Sequence, residues 1–212
     1  MSSIKDVYQF YNEFVKPIYS EIEAKRNEIP VELLFETYAA FDHLKRFYLD
    51  GEDEAKTAEK ALSHLKRGVL DAFKLKLKYF NTDLKNFLNS RVDFQLIDNG
   101  QFITSLHKDK QEIIATATGA RLTEGKNSKE EAFDDWYKVS NYIDTFEKTY
   151  FGHTNKVDWA KGKTFKWLVR DNWRGFIIGL LSGLVSSYLV WFLTLPSQSN
   201  ESSNSIAIKT RK

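Results

Sequence analysis

Two short segments carry the residue types best suited to chemistry. Ala40 to Asp50 reads AFDHLKRFYLD and Ala61 to Asp71 reads ALSHLKRGVLD, a match at a spacing of 21 residues. At about 100° per residue, His43, Arg46 and Asp50 fall on one helix face, and His64, Arg67 and Asp71 do the same. Imidazole beside guanidinium is a common anion-binding pair. These six residues are therefore the candidate face for an anionic ligand or a protein partner. The plainer expectation is two solvated faces with Arg46 and Arg67 each paired to the Asp four residues on, worth a few tenths of a kcal/mol apiece.

Other chemistry is thinly represented. The chain has no cysteine, which removes disulfides, thiolate nucleophiles and cysteine metal sites, and suits a reducing compartment. No phosphate-binding loop, dinucleotide fingerprint, nucleophile elbow or HExxH is present. His107 and His153 have no carboxylate at ligand spacing. In the helical HEPN ribonucleases an Arg precedes the His by a few residues, and here His43 and His64 come before Arg46 and Arg67. Such a nuclease is the remaining enzymatic alternative, on helical character alone. No metal or cofactor is expected. With a net charge of +2, part of it in one juxtamembrane stretch, nucleic acid is not an expected partner.

The elements that would position these residues are helical, because apolar residues recur at three and four residue steps. Ile4, Val7, Tyr11, Phe14, Ile18 and Ile22 make one face, with Pro17 expected to kink or split the helix near Lys16. Pro30 opens a helix over 31 to 50 with Leu33, Leu34, Phe41, Leu44 and Tyr48 inward. The Asp50 to Asp53 turn then gives a hairpin, with His43 and His64 at nearly equal distances from it. The next helix carries Ala55, Ala58, Leu62, Leu65, Val69 and Phe73, and Asn81-Thr82-Asp83 suggests a break.

Asp98-Asn99-Gly100 is a turn signal, compatible with a short hairpin between alternating Val92, Phe94, Leu96 and Phe102 to Thr104, or with a loop. Leu106, Ile113, Ile114, Ala117 and Leu122 mark a helix over 105 to 122. Ser128 and Glu131 read as a capping box. The helix after it turns Phe133, Trp136, Val139, Ile143, Phe146 and Tyr150 inward, with Gly152 as its cap.

The C-terminal third differs. No charged residue occurs between Arg174 and Glu201, and about 20 helical residues cross the ~30 Å hydrocarbon layer. Gly175, Gly179, Gly183 and Ser187 recur every four residues, the small-residue spacing that lets membrane helices associate. Before the span lie Trp159, Lys163, Lys166, Trp167, Arg170, Trp173 and Arg174, suited to the headgroup region and to the cytoplasmic side.

The chain is thus expected to be all-α: a cytoplasmic helical bundle over 1–155, a basic aromatic collar over 156–174, a transmembrane helix over 175–195 and a polar tail over 196–212. The N-terminus lacks the apolar core of a secretory signal. The expected protein is a single-pass, tail-anchored membrane protein with its C-terminus on the far side, forming homo-oligomers through its span. Its helical domain is expected to be a non-enzymatic interaction or sensor module, the alternative being an oligomerising effector that perturbs the bilayer.

Overall fold

The structure, a computed structural model, describes residues 2–126 and 132–194, and the side chains of all of these except 165–172. The Ser128 and Glu131 capping box and the tail from Leu195 lie outside the described residues. All regular structure among the described residues is helical, so the chain is all-α. It divides into two compact units, Met1–Thr164 and Phe165–Lys212.

In the first unit, α1 (Ile4–Phe10) begins at a capping box in which Ser3 accepts from the Asp6 amide and Asp6 accepts from the Ser3 amide. A π-helical turn, Tyr11–Val15, leads into α2 (Lys16–Arg26). The Lys16 amide reaches back to the Tyr11 carbonyl, a turn one residue wider than usual, placed immediately before Pro17. Proline lacks an N–H and crowds the carbonyl four residues earlier. The wide turn accommodates both defects, so the chain splits at Lys16 and still keeps its helical course.

α3 (Val31–Asp50) and α4 (Glu54–Leu88) follow as an antiparallel hairpin. Gly51 ends α3 at φ 71°, a conformation that favours glycine, and Asp53 caps α4 by accepting from the Lys56 amide at 2.9 Å. α4 is the axis of the unit. It packs against α1, α2, α3 and α6, burying Ala58, Ala61, Leu65, Val69, Phe73, Leu77, Phe80 and Leu84.

No break occurs at Asn81-Thr82-Asp83. Phe80 and Leu84 keep the apolar phase across it, the Thr82 hydroxyl donates to the Lys78 carbonyl at 3.2 Å, and Asp83 is held by Arg26 at 2.9 Å. The inward face of α3 also differs from the expectation. Leu33, Thr37, Ala40 and Leu44 are buried, whereas Phe41 and Tyr48 are exposed. Small residues face the core because α4 approaches closely, and the aromatics are turned out.

Residues Phe94–Gly100 form a short, irregular 3-10 segment rather than strands. Asp98, Asn99 and Gly100 all have positive φ, so the turn lies where its residue types put it, and of the two expectations for its flanks the hairpin does not form. The segment leads into α5 (Gln101–Lys126), which buries Phe102, Leu106, Ile113, Ala117 and Ala120. Ile114 and Leu122 lie on its exposed side. α6 (Phe133–Phe146) buries all its expected residues and ends in a second π-helical turn, Glu147–Phe151, which buries Tyr150. Gly152 closes it where a Cβ would lie 2.7 Å from the Lys148 carbonyl oxygen.

Aromatic rings fill the two ends of the core. Phe133 stands 5.5 Å from Phe10, 5.3 Å from Phe14 and 5.8 Å from Phe73, while Phe146 stands 5.0 Å from Phe80 and 4.6 Å from Tyr150, within the range of favourable ring pairs.

The final helix, α7 (Thr154–Thr194), contributes its first residues to this unit. Ala160 is fully buried there, Val157 packs on the core, and the Asp93 amide donates to the Thr164 hydroxyl at 3.0 Å. In the second unit, Trp173–Thr194 is a 22-residue apolar stretch of α7, long enough to cross a membrane.

Candidate functional site

The α3–α4 hairpin brings the two repeat segments together. Near Gly68 the helices almost touch, since a Cβ there would meet Glu36 Cβ and Leu33 Cδ1 at 3.0 Å and Leu33 Cα at 3.2 Å. With the backbones so close, side chains one to two turns away must stack rather than interleave. His43 and His64 do so, their rings 5.1 Å apart and 27° from parallel. The histidine faces therefore meet each other inside the hairpin rather than facing outward.

The two rings differ in environment. His64 Nδ1 lies 2.6 Å from Glu36 Oε2, and Arg67 donates to the other oxygen of Glu36 at 3.4 Å. His43 Nδ1 is buried and has no hydrogen-bond partner among the described residues. Burial, followed by the charges of His64, Arg46 and Lys60, pushes the His43 imidazole below its ordinary range, against a smaller opposing effect of Asp42.

The arginines do not take the partners expected within their own segments. Arg46 turns back to Asp42 at 2.8 Å, leaving Asp50 exposed at the helix end. Asp71 pairs instead with Lys74 at 3.1 Å, and Lys74 also reaches Glu124 at 2.6 Å. Both arginines thus already hold a carboxylate, and an incoming anion must compete with it. The arrangement is an imidazole stack in which one carboxylate, Glu36, is shared by His64 and Arg67.

A second polar cluster, built on Lys76, was missed. Its ammonium is buried and meets Glu21 at 2.9 Å, Ser140 at 3.1 Å and Asp144 at 2.6 Å, so it ties α2, α4 and α6 together. Lys25 bridges Glu21 at 2.7 Å and Glu147 at 2.6 Å. Burial pushes the Glu21 carboxyl up, and the hydrogen bonds from Lys25 and Lys76 outweigh this and leave it below its usual value. The three carboxylates Glu21, Asp144 and Glu147 converge closely enough to hold a metal ion, but the two ammonium groups already fill that role. A signal was available: Lys76 occupies a core position in the run Val69, Phe73, Lys76, Phe80, Leu84, where only a paired charge is tolerated.

Elsewhere in the first unit, the Tyr150 hydroxyl donates to Asp109 at 2.6 Å, and burial and this bond raise its pKa. Beside it a groove of about 220 Å³ is lined by Asp109, Glu112, Ile113, Tyr142 and Thr149. Trp159 is exposed, with the Lys163 ammonium 5.7 Å from its ring centre.

In the second unit, Gly175, Gly179, Gly183 and Ser187 all lie exposed on the apolar helix, and a Cβ at any of the three glycines meets nothing within 4 Å. Trp173 and Arg174 are exposed at its start. The side chains of Lys166, Trp167 and Arg170 lie outside the described ones. No family model, curated protein or solved structure matches this chain.

Of the six predicted residues, then, His64 and Arg67 come together on Glu36, His43 stacks on His64, Arg46 lies on Asp42, and Asp50 and Asp71 stand apart. Glu36 was not predicted. Nothing in its own segment marks it, because its importance comes from α4 crossing α3 at Gly68.

Proposed function

We propose that this protein is a single-pass, tail-anchored membrane protein whose helical domain faces the cytoplasm and works by contact rather than by catalysis. The observation that carries this reading is the 22-residue apolar helix, exposed along its whole length. Water is a poor solvent for such a surface and hydrocarbon a good one. The orientation rests on Lys156, Lys161, Lys163, Lys166, Arg170 and Arg174 preceding the span. A non-enzymatic role is supported by Arg46, Arg67 and Lys76 each already holding a carboxylate. Self-association through Gly175, Gly179, Gly183 and Ser187 belongs to the same reading, because open small-residue faces let backbones approach in lipid.

The test has two steps. Membranes bearing the full-length protein are washed at alkaline pH, and sealed vesicles are then treated with protease from the cytoplasmic face. Retention in the bilayer with digestion of the helical domain is expected; release by alkali or protection of the domain would refute the anchor or its orientation. Native mass analysis from gentle detergent then reads what accompanies the chain. A stoichiometric partner or a homo-oligomer fits a contact module. Degradation of RNA that depends on His43 or His64 would replace this reading with the nuclease, and leakage of dye from vesicles would replace it with the membrane-perturbing effector.

A further inference from the structure

α3 has a second face. Opposite the buried Leu33, Thr37, Ala40 and Leu44, the residues Val31, Phe35, Tyr38, Asp42, Lys45 and Leu49 recur at alternating steps of four and three, the spacing of a coiled-coil seam. Val31, Phe35, Tyr38 and Leu49 are 48, 65, 59 and 74 % exposed. Along this stripe, about 27 Å of helix at 1.5 Å rise per residue, Val31, Phe35 and Tyr38 lie on one side of Asp42 and Lys45 and Leu49 on the other, exposed apolar groups of a kind that often mark a contact surface. No described element of this chain packs on it.

The charges in the middle of the stripe say what covers it. Asp42 and Lys45 occupy adjacent seam positions of opposite type and carry opposite signs. In a parallel, in-register pair of α3 helices Asp42 would face Asp42 and Lys45 would face Lys45, which repels. In an antiparallel pair the two types of position face each other. We infer that the stripe is a docking surface for the same stripe on a second copy of this chain, antiparallel, with Asp42 set against Lys45 of the second copy. Two ion pairs then flank the dyad, and Tyr38 meets Leu49 of the second copy on either side, an isologous contact. Arg46, already 2.8 Å from Asp42, borders the same pairs. A lipid surface suits the stripe less well, because Asp42 sits at its centre. The overlap, Tyr38 to Leu49 of each copy, spans fewer than two heptads, with Val31 and Phe35 beyond it, and is short for a dimer in dilute solution. Its strength rests on the membrane anchoring proposed above, which confines copies to one bilayer and raises their effective concentration.

The cysteine-free sequence makes the test clean. Full-length chains carrying Asp42→Cys are mixed with chains carrying Lys45→Cys in phosphatidylcholine vesicles and oxidised, and Tyr38→Cys is mixed with Leu49→Cys in the same way. The mixed disulfide dimer is expected to dominate over either like-with-like dimer. Leu49→Glu, on a side chain already in water, is expected to abolish the Asp42–Lys45 cross-link with the helical circular dichroism unchanged. In unmodified chains Lys45→Asp should lower the dimer fraction and Asp42→Lys with Lys45→Asp should restore it. Alkaline extraction of the same vesicles reads the anchor separately. Resistance to alkali without mixed cross-links, dominance of the like-with-like dimers, or no rescue by the double reversal would overturn the seam and leave the anchor standing. Cross-links in alkali-extractable protein would overturn the anchor and leave the seam.

Discussion

Replacing Gly68 with alanine tests the closeness of the hairpin on which the histidine contact depends. Two effects oppose. Alanine is a better helix former than glycine by about 1 kcal/mol, and it also restricts the unfolded chain. Against this, the new Cβ would lie 3.0 Å from two carbons of α3 and 3.2 Å from the Leu33 Cα. Leu33 is 1 % exposed and cannot move aside, so α3 must shift by a few tenths of an ångström. Such overpacking costs about 1–3 kcal/mol.

Gly119 supplies the control. It lies inside α5 with nothing within 4 Å of a Cβ, so alanine there gains the same propensity at no steric cost. Subtracting the two variants removes the propensity and leaves the crowding. Gly119→Ala should raise the unfolding midpoint, and Gly68→Ala should fall below it by about 1–3 kcal/mol, roughly 2–12 °C for a chain of this size. Thermal unfolding followed by helical circular dichroism in mild detergent gives both numbers. Equal stabilisation by the two substitutions would show that α3 and α4 are not held at this distance.

Three further outcomes follow from the structure. Lys76→Met leaves Glu21 and Asp144 without their shared cation; a fully buried pair would cost about 3–5 kcal/mol, but these carboxylates are 25 and 49 % exposed, so about 2 kcal/mol is expected in urea unfolding. Adding Glu21→Gln and Asp144→Asn should recover most of it, and no recovery would mean the loss was packing alone. His43 titrates at 6.5 when free and lower in the folded chain, so the unfolded state binds the proton more readily. Stability should therefore be flat at higher pH, fall as pH drops below about 6.5 and level off beneath the folded value; His43→Gln should flatten this slope, and an unchanged slope would assign it to other groups. Gly179→Leu with Gly183→Leu should weaken association of the membrane helix in a bilayer assay, and an unaltered signal would remove the glycine face from the assembly.

What the sequence made legible was set by periodicity. The large inward residues of α6 are legible, because five apolar side chains at regular steps admit one helix phase, while the small Ser140 buried among them is not. The phase of α3 was misjudged, because Phe41 and Tyr48 are larger than Thr37 and Ala40 and look more like core. Size misleads where a neighbouring glycine draws two helices together and leaves room only for small side chains. The repeat placed His43 and His64 at matching distances from the turn, and the hairpin did bring them face to face. Their partner Glu36 was invisible, since it depends on the register of two helices rather than on any local pattern. Asn81 to Asp83 looked like a break because those residue types favour caps, yet the ion pair to Arg26 and the buried Leu84 hold the helix through them.

The wide turn before Pro17 has a consequence for how this chain can change over generations. A π turn holds one residue more than a regular helix needs, so Tyr11–Val15 is a place where loss of a single residue closes the helix instead of breaking it. The cost falls elsewhere. Such a deletion would rotate Ile4 and Val7 by about 100° relative to Ile18 and Ile22 and would return the proline ring to the carbonyl it now avoids. A relative lacking that residue should therefore also lack the proline and carry its first apolar pair one position out of step. The two differences should be inherited together.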